Sequence, residues 1–460
     1  MSLNKISRVA ILGVSVAAFS SCHIYNKFDM PTDTPITAEY AEARDAAIDS
    51  AAYGNLRWQE VFTDPFLAEL IDRALINNKD LNNAKLNVDM AHAQLKGARL
   101  SYLPSVTLAP NGAGASYDHS RISWTYQIPV AVSWEIDLFG KLLNADRKAK
   151  ASLLQSQAYE QAVRSQIIGG VANCYYTIAM LEKQLEISRQ TAASWAESVE
   201  VMKNLKLAGR VNESAVVQST ANYYSILGSI TDLEVSLHEA NNTMSLLMNE
   251  MPHTWDIPAD ATFSTPTILR EGIPMKELAS RPDVRAAEQS LAAAYYTTNQ
   301  ARAAFYPGIT ISSNGGFTNL LGSFISNPGK WFIQLAGQLT QPIFARGQLI
   351  ANLEATKAQQ QQAMNNFEYT LLSASAEVSD ALMLYTKSEE KSGLLEKQVE
   401  NLEKTVEYTK ELLSLNGSST YLEVLTAQQG LLSAQISQVA CENAKARAAI
   451  NLYQSLGGGR

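Results

Sequence analysis

Residues 140–209 and 346–417 each run for about seventy positions without a proline. At 1.5 Å per residue, an α-helix of that length reaches about 100 Å, several times the width of a small domain. Ala, Gln, Glu, Lys, Leu and Ser dominate both stretches, as in "ANLEATKAQQQQAMNNFEYTLLSASAEVSDALMLYTKSEEK" from Ala351, and most of these are good helix formers. Apolar positions recur every three or four residues but make only narrow stripes. A helix against a globular core needs a wider apolar face. These helices are therefore expected to touch only their neighbours and to meet water on two sides. The glutamine run 359–362 suits that wet surface. Gly169-Gly170 interrupts the first stretch and predicts a bend there; the second stretch has no such pair.

The two stretches belong to a duplication. "ARLSYLPSVTLAP" begins at Ala98 and "ARAAFYPGITISS" at Ala301. Asp80-Leu81 aligns with Asp283-Val284, Leu138-Phe139 with Ile343-Phe344, and Gly209 with Gly417, at offsets of 203, 205 and 208. A period near 200 is too long for a solenoid, so the chain reads as two large repeats, 57–251 and 275–460. Between them, residues 252–274 hold four of the 14 prolines and read as an extended linker. Each repeat is expected to open with a helix, 65–103 or 275–306. Pro104 and Pro307 end those helices, because proline supplies no N–H and excludes the α conformation before it. Two strands follow in each copy, about 105–117 and 126–139, then 308–320 and 330–344. A long helical hairpin completes each repeat, with its tip near 209 or near 417.

Within "YQIPVAVSWEIDLF" (126–139), Ile128, Val130, Val132, Trp134, Ile136 and Leu138 fall on one face, and Gln127, Ala131, Ser133, Glu135 and Asp137 on the other. "WFIQLAGQLT" repeats the pattern, with Ile333, Leu335 and Leu339 opposite Gln334, Gln338 and Thr340. Strict period-two alternation fits a soluble sheet over a core, or a membrane barrel with lipid outside and a polar lumen. Strand length favours the barrel, since about ten residues cross a bilayer when tilted, and Trp124, Trp134 and Trp331 suit its interfaces. No further helix with a broad apolar face remains to cover the sheet. Four strands cannot close on themselves, and open edges are excluded in lipid. Several chains must then share one barrel. Two copies give eight strands and a filled interior, whereas three give twelve and room for a pore; three is the expectation. Pro104 and Pro307 then mark the points where a hydrated helix becomes a barrel strand.

The N-terminus is separable. Lys5 and Arg8 precede an apolar run of 11 residues, 9–19, too short to span a bilayer as a helix. Phe19-Ser20-Ser21-Cys22 follows, and small residues directly before a cysteine resemble the lipobox of bacterial lipoproteins. Residues 1–21 then form a signal peptide, Cys22 carries a covalent lipid, and 22–56 form a lipid-anchored extension. The alternative is an ordinary secretory signal with an incidental cysteine. Acyl chains on Cys22 anchor without crossing the membrane. His23 follows, not the aspartate that retains enterobacterial lipoproteins at the inner membrane, which favours the outer one.

A net charge of −8 without basic runs argues against nucleic acid as a partner. His23, His92, His119, His238 and His253 cluster with neither Cys nor carboxylates, so no metal is expected. No nucleophile–base pairing, phosphate loop or dinucleotide fingerprint occurs, so no enzyme and no cofactor beyond the Cys22 lipid is expected. Counted along their hairpins, Cys174 and Cys441 differ in height by roughly 20 Å, out of disulfide reach. Two free buried thiols are predicted.

"WQEVFTDPFLAELIDRALINNKDL" (58–81), "SWEIDLFGKL" (133–142), "SRPDVRAAEQSL" (280–291), "QPIFARGQL" (341–349) and "INLYQSLGGG" (450–459) resemble the TolC family of outer-membrane efflux proteins, nearest its lipidated, NodT-like OprM type. Arg281-Pro282-Asp283 is the most specific mark. On its own it reads as a helix start, with Asp283 against the positive end of the dipole. The resemblance implies a mixed α+β membrane protein, a homotrimer with a 12-stranded outer-membrane β-barrel continued by a long periplasmic α-helical barrel. It implies as partners a periplasmic adaptor (membrane fusion) protein, an inner-membrane pump of the resistance-nodulation-division class, and outer-membrane lipid. The tip residues Gly209, Arg210, Val211 and Asn212, with Gly417, Ser418, Ser419 and Thr420, would then meet the adaptor. In OprM-like relatives a leucine and an aspartate after the second turn narrow the closed tip. The leucine maps to Leu422, Thr426 stands at the aspartate's position, and Glu423 lies next to Leu422. A type I secretion duct would share this fold. A lipid-anchored coiled-coil scaffold would leave the alternating strands unexplained.

Overall fold

The structure, a computed structural model, describes residues 23–44, 56–116, 118–258, 275–319, 330–415 and 421–459. Cys22, most of the linker 252–274 and Gly417, Ser418, Ser419 and Thr420 lie outside them. After a single 3₁₀ turn at His23–Tyr25, the helices are α1 Pro35–Arg44, α2 Trp58–Val61, α3 Pro65–Asn77 and α4 Lys79–Leu100. Strands β1 Ser105–Leu108, β2 Asn111–Ala115 and β3 Ser123–Ile136 precede α5 Lys141–Leu207 and α6 Glu213–Met248. The order then recurs: α7 Met275–Ser280, α8 Pro282–Ala303, β4 Gly308–Thr318, β5 Lys330–Thr340, α9 Gln348–Leu415 and α10 Tyr421–Ser455.

The chain divides into two compact units. The first, residues 1–37, 86–158 and 285–369, holds the sheet and the helix segments next to it. Its helices pack through small clusters, Ala91 and Leu95 on Leu153, and Ala151 on Ala292 and Tyr296. The second unit, residues 38–85, 159–284 and 370–460, is helical. One of its clusters joins Leu185, Ala192 and Trp195 of α5 to Ile226 and Ile230 of α6 and Leu425 of α10.

Helix α5 runs unbroken through Gly169-Gly170. The first of these glycines serves close approach: the Gln454 carboxamide occupies the space a Cβ on Gly169 would need, and its Nε2 donates to Ser165 O (2.8 Å).

Both opening helices are split where one helix each was expected. Asn78 is extended (φ −61°, ψ 131°) and closes α3. Its Oδ1 accepts from the N–H groups of Asp80 (2.9 Å) and Leu81 (3.2 Å), starting α4, as asparagine does at helix N-termini. The second break falls at Arg281, between α7 and α8. Positions 78 and 281 keep the 203-residue offset read from the sequence. Each also donates to the last turn of a returning helix: Asn78 Nδ2 to Leu247 O (3.0 Å) and Arg281 Nη1 to Ser455 O (2.6 Å).

The sheet order is β1-β3-β4-β5, with β2 also on β3, all antiparallel. The expected strand 105–117 is two pieces in a single register: Leu108 faces Val130 and Asn111 faces Gln127. The gap falls at Pro110 and Pro129, which have no N–H to give the ladder, while Ala109 N still reaches Pro129 O (3.2 Å). Strand β3 begins at Ser123 and ends at Ile136, earlier than the expected 126–139. Strand β5 stops at Thr340, before Gln341-Pro342, and not at residue 344.

Candidate functional site

Register puts Val106, Leu108, Val130, Val132, Trp134 and Ile136 on one face of the sheet, with Ile309, Ile311, Phe317, Trp331, Ile333 and Leu335 from the second hairpin. Most of this face is open; Leu335 is 77% exposed. Burying one such side chain is worth about 1.5–3 kcal/mol, so the face is suited to apolar surroundings. The other face carries Ser133, Glu135, Thr310, Ser312, Asn314 and Gln334. Along their outer sides, β1/β2 and β5 pair with no strand among the described residues. On the apolar face, Trp124 lies ten residues before Trp134 on β3. That is roughly 33 Å of strand, or about 25 Å of height at a tilt near 40°.

At the helix end of the sheet, the two junctions are built alike. After α4, the Leu103 N–H reaches Leu100 O (2.9 Å); after α8, the Tyr306 N–H reaches Ala303 O (3.1 Å). Pro104 and Pro307 then stand directly before β1 and β4. Trp134 Nε1 donates to Tyr102 O (2.9 Å) and Gln341 Nε2 to Phe305 O (2.9 Å), tying β3 to one junction and the residue after β5 to the other. Phe139 stacks on Tyr306 at 5.0 Å. The N-terminal segment docks at the start of α5. Asn144 Nδ2 donates to Ile24 O (2.9 Å), and Arg147 Nη1 to Tyr25 O (2.9 Å) and Asn26 O (3.0 Å). Gly140 (φ +70°) leaves room for Ile24 and Tyr25. No sequence signal pointed to Asn144 or Arg147.

In the helical unit, Gly209 (φ +70°) closes α5. Its N–H reaches Lys206 O and that of Arg210 reaches Leu205 O, both at 2.9 Å, the pairing of a glycine-terminated helix. Arg210 and Asn212 are exposed and Val211 half-buried. Asn212 Oδ1 accepts from Ala215 N (3.1 Å) and starts α6. At the start of α10, Leu422, Glu423 and Thr426 are exposed, while Val424 and Leu425 are buried. The Thr426 hydroxyl donates to Leu422 O (2.8 Å), its own helix. Tyr421 Oη donates to Ser198 O (3.1 Å) and holds this turn on α5.

Arg281 does more than precede a helix. Its guanidinium grips Asp283 through Nε (3.0 Å) and Nη2 (2.7 Å), reaches Glu377 of α9 (2.7 Å) and donates to Ser455 O. Burial pulls the guanidinium's pKa down, but Asp283 and Glu377 outweigh it and the net shift is upward. Asp283 serves the arginine as well as the helix start, since its Oδ1 also accepts from Val284 N (2.9 Å). Glu377 is 96 residues away, with no sequence signal linking it to Arg281. Cys174 and Cys441 are free and buried. Burial raises the Cys174 thiol to about 12.

The sequence pattern of the family described as "Outer membrane efflux protein" matches residues 70–250 and 273–458. The chain belongs to that family. The cation efflux system protein CusC of Escherichia coli K12 is 27% identical over 450 residues, covering 96% of this chain and 97% of CusC. The toluene efflux pump outer membrane protein TtgC of Pseudomonas putida is 27% identical over 475 residues, covering 98% and 96%. The crystal structure of CusC superposes with a TM-score of 0.82 at 26% identity over 94% of this chain and 99% of that one. The open-state MtrE outer membrane channel of Neisseria gonorrhoeae gives 0.80 at 27% identity over 90% and 94%. An outer-membrane efflux family accounts for the exposed apolar sheet face.

Proposed function

We propose that this chain is the outer-membrane exit duct of a tripartite efflux system, carrying small toxic compounds that an inner-membrane pump of the resistance-nodulation-division class delivers through a periplasmic adaptor. The observation that carries the reading is the sheet: one apolar face is open and both edges are unpaired among the described residues. Three copies joined edge to edge satisfy every strand and close a 12-stranded barrel whose apolar face meets lipid. The height of about 25 Å between Trp124 and Trp134 matches an apolar membrane band. The helices continue this barrel as a periplasmic tunnel.

The lipid on Cys22 belongs to the same picture. Residues just after it are pinned to Asn144 and Arg147, where β3 gives way to α5, so the acyl chains enter the leaflet at the strand ends. The matched roles of Asn78 and Arg281 support descent of the two halves from one duplicated unit. Gly209, Arg210, Val211 and Asn212, with Gly417, Ser418, Ser419 and Thr420, meet the adaptor, and Leu422 narrows the pore beside Glu423 and Thr426. Cargo follows the pump, and the relatives are named for cations and for toluene. The test is conductance of the purified chain in planar bilayers. Leu422→Ser is expected to raise the open probability. Unchanged conductance and leakage would remove Leu422 from the gate, and the absence of any pore would remove the duct.

A further inference from the structure

Five strands carry two charged residues, Glu135 and Lys330. This is a small share for a chain in which 18% of the residues are charged. By register Glu135 falls on the polar face opposite Thr310 at the helix end, and position 330 pairs with Thr318 at the far end. Glu135 is further neutralised by Lys141 Nζ at 2.7 Å. Asp118, His119 and Arg121 lie in the turn between β2 and β3, off the sheet. The row through Ala131, Asn314 and Gln334 stands midway. It is four residues, or about 13 Å, from either charged row, beyond the screening length of about 8 Å at physiological salt.

We infer that the middle of the barrel wall is charge-blind: cationic, anionic and uncharged solutes meet the same surface there, rich in amides and hydroxyls, and preference for either sign is imposed beyond it. The inference rests on the duct proposed above and adds a property of its lining. A wall of Gln, Asn, Ser and Thr can hydrogen-bond a passing solute of either charge, and no fixed charge in its middle repels one sign.

The test places a cysteine at Asn314 or Gln334 in the full chain and times its reaction with a cationic and an anionic methanethiosulfonate added from outside. Cys174 and Cys441 are buried, and the unsubstituted protein is the blank. The expected ratio of the two rates stays within about twofold of that for a free small thiol in the same salt. Gln334→Lys beside Asn314→Cys, a directly paired position, should shift the ratio about tenfold toward the anionic reagent, which shows that the probe reads the wall. A bias of about tenfold toward either sign at the single-cysteine positions would overturn the inference while leaving the duct intact. If Leu335→Cys reacts and Asn314→Cys does not, the lumen lies on the other face, and the proposed barrel falls with its lining.

Discussion

Arg281→Ala tests the packing of the helical unit most sharply. The substitution removes four hydrogen bonds, two to Asp283 and one each to Glu377 and Ser455 O. The carboxylate contacts are the weaker share. The Asp283 and Glu377 side chains are 43% and 55% exposed and rehydrate once released, so each contact is worth at most about 1 kcal/mol. Ser455 is buried, and stranding its carbonyl costs about 1–3 kcal/mol. Together the loss is about 3 kcal/mol, local to the last turn of α10 and to the break between α7 and α8. Amide hydrogen exchange on the intact protein reads this directly, with exchange in those two turns expected to rise on the order of a hundredfold. Asp283→Asn removes one exposed pair and should change exchange less than about tenfold. Arg281→Lys falls between the two, because an ammonium cannot serve three partners in a planar fork. If Arg281→Ala left exchange unchanged, or Asp283→Asn proved the more damaging, the buried carbonyl would not account for the larger part of the loss.

The adjacent glycines in α5 should respond differently to alanine. Gly170→Ala meets nothing closer than Leu247 at 3.6 Å and should stabilise by about 1 kcal/mol through helix propensity. Gly169→Ala displaces the Gln454 carboxamide from Ser165 O, offsetting that gain by about 1 kcal/mol; chemical denaturation should rank Gly170→Ala above Gly169→Ala. The Cys174 thiol is raised from 9.0 to about 12 by burial, so the folded state holds that proton more tightly than the unfolded one. Its contribution is fully present below about pH 9 and is lost as pH rises toward about 12. Unfolding of wild type and Cys174→Ala compared across that window should show a steeper loss in wild type, and thiol reagents at about pH 8 should spare Cys174 until the protein unfolds.

Strands were readable because alternation of period two survives in a sequence that places one face in water and one in oil. The edges of those strands were less readable, since hydrogen bonding depends on which residue stands opposite. Pro110 and Pro129 interrupt one ladder that neither would announce alone. The split at Asn78 fell among the asparagines of "INNKDLNNAKL", any of which could start a helix. Its signal lay in the repeat, where the 203-residue offset sets Pro282, a helix-starting residue, against Lys79. Arg281 drew notice as a motif, yet its reach to Glu377 and Ser455 needs the tertiary fold, because neither partner is near in sequence. The docking of the N-terminal segment on Asn144 and Arg147 left no pattern, being made largely to backbone carbonyls.

The central claim is that the open sheet edges are completed by other copies of this chain. Native mass spectrometry of the full-length lipidated protein, released from a mild detergent, weighs that directly. A single species of three chains is the predicted result; a single chain that keeps its sheet in the same detergent would contradict it.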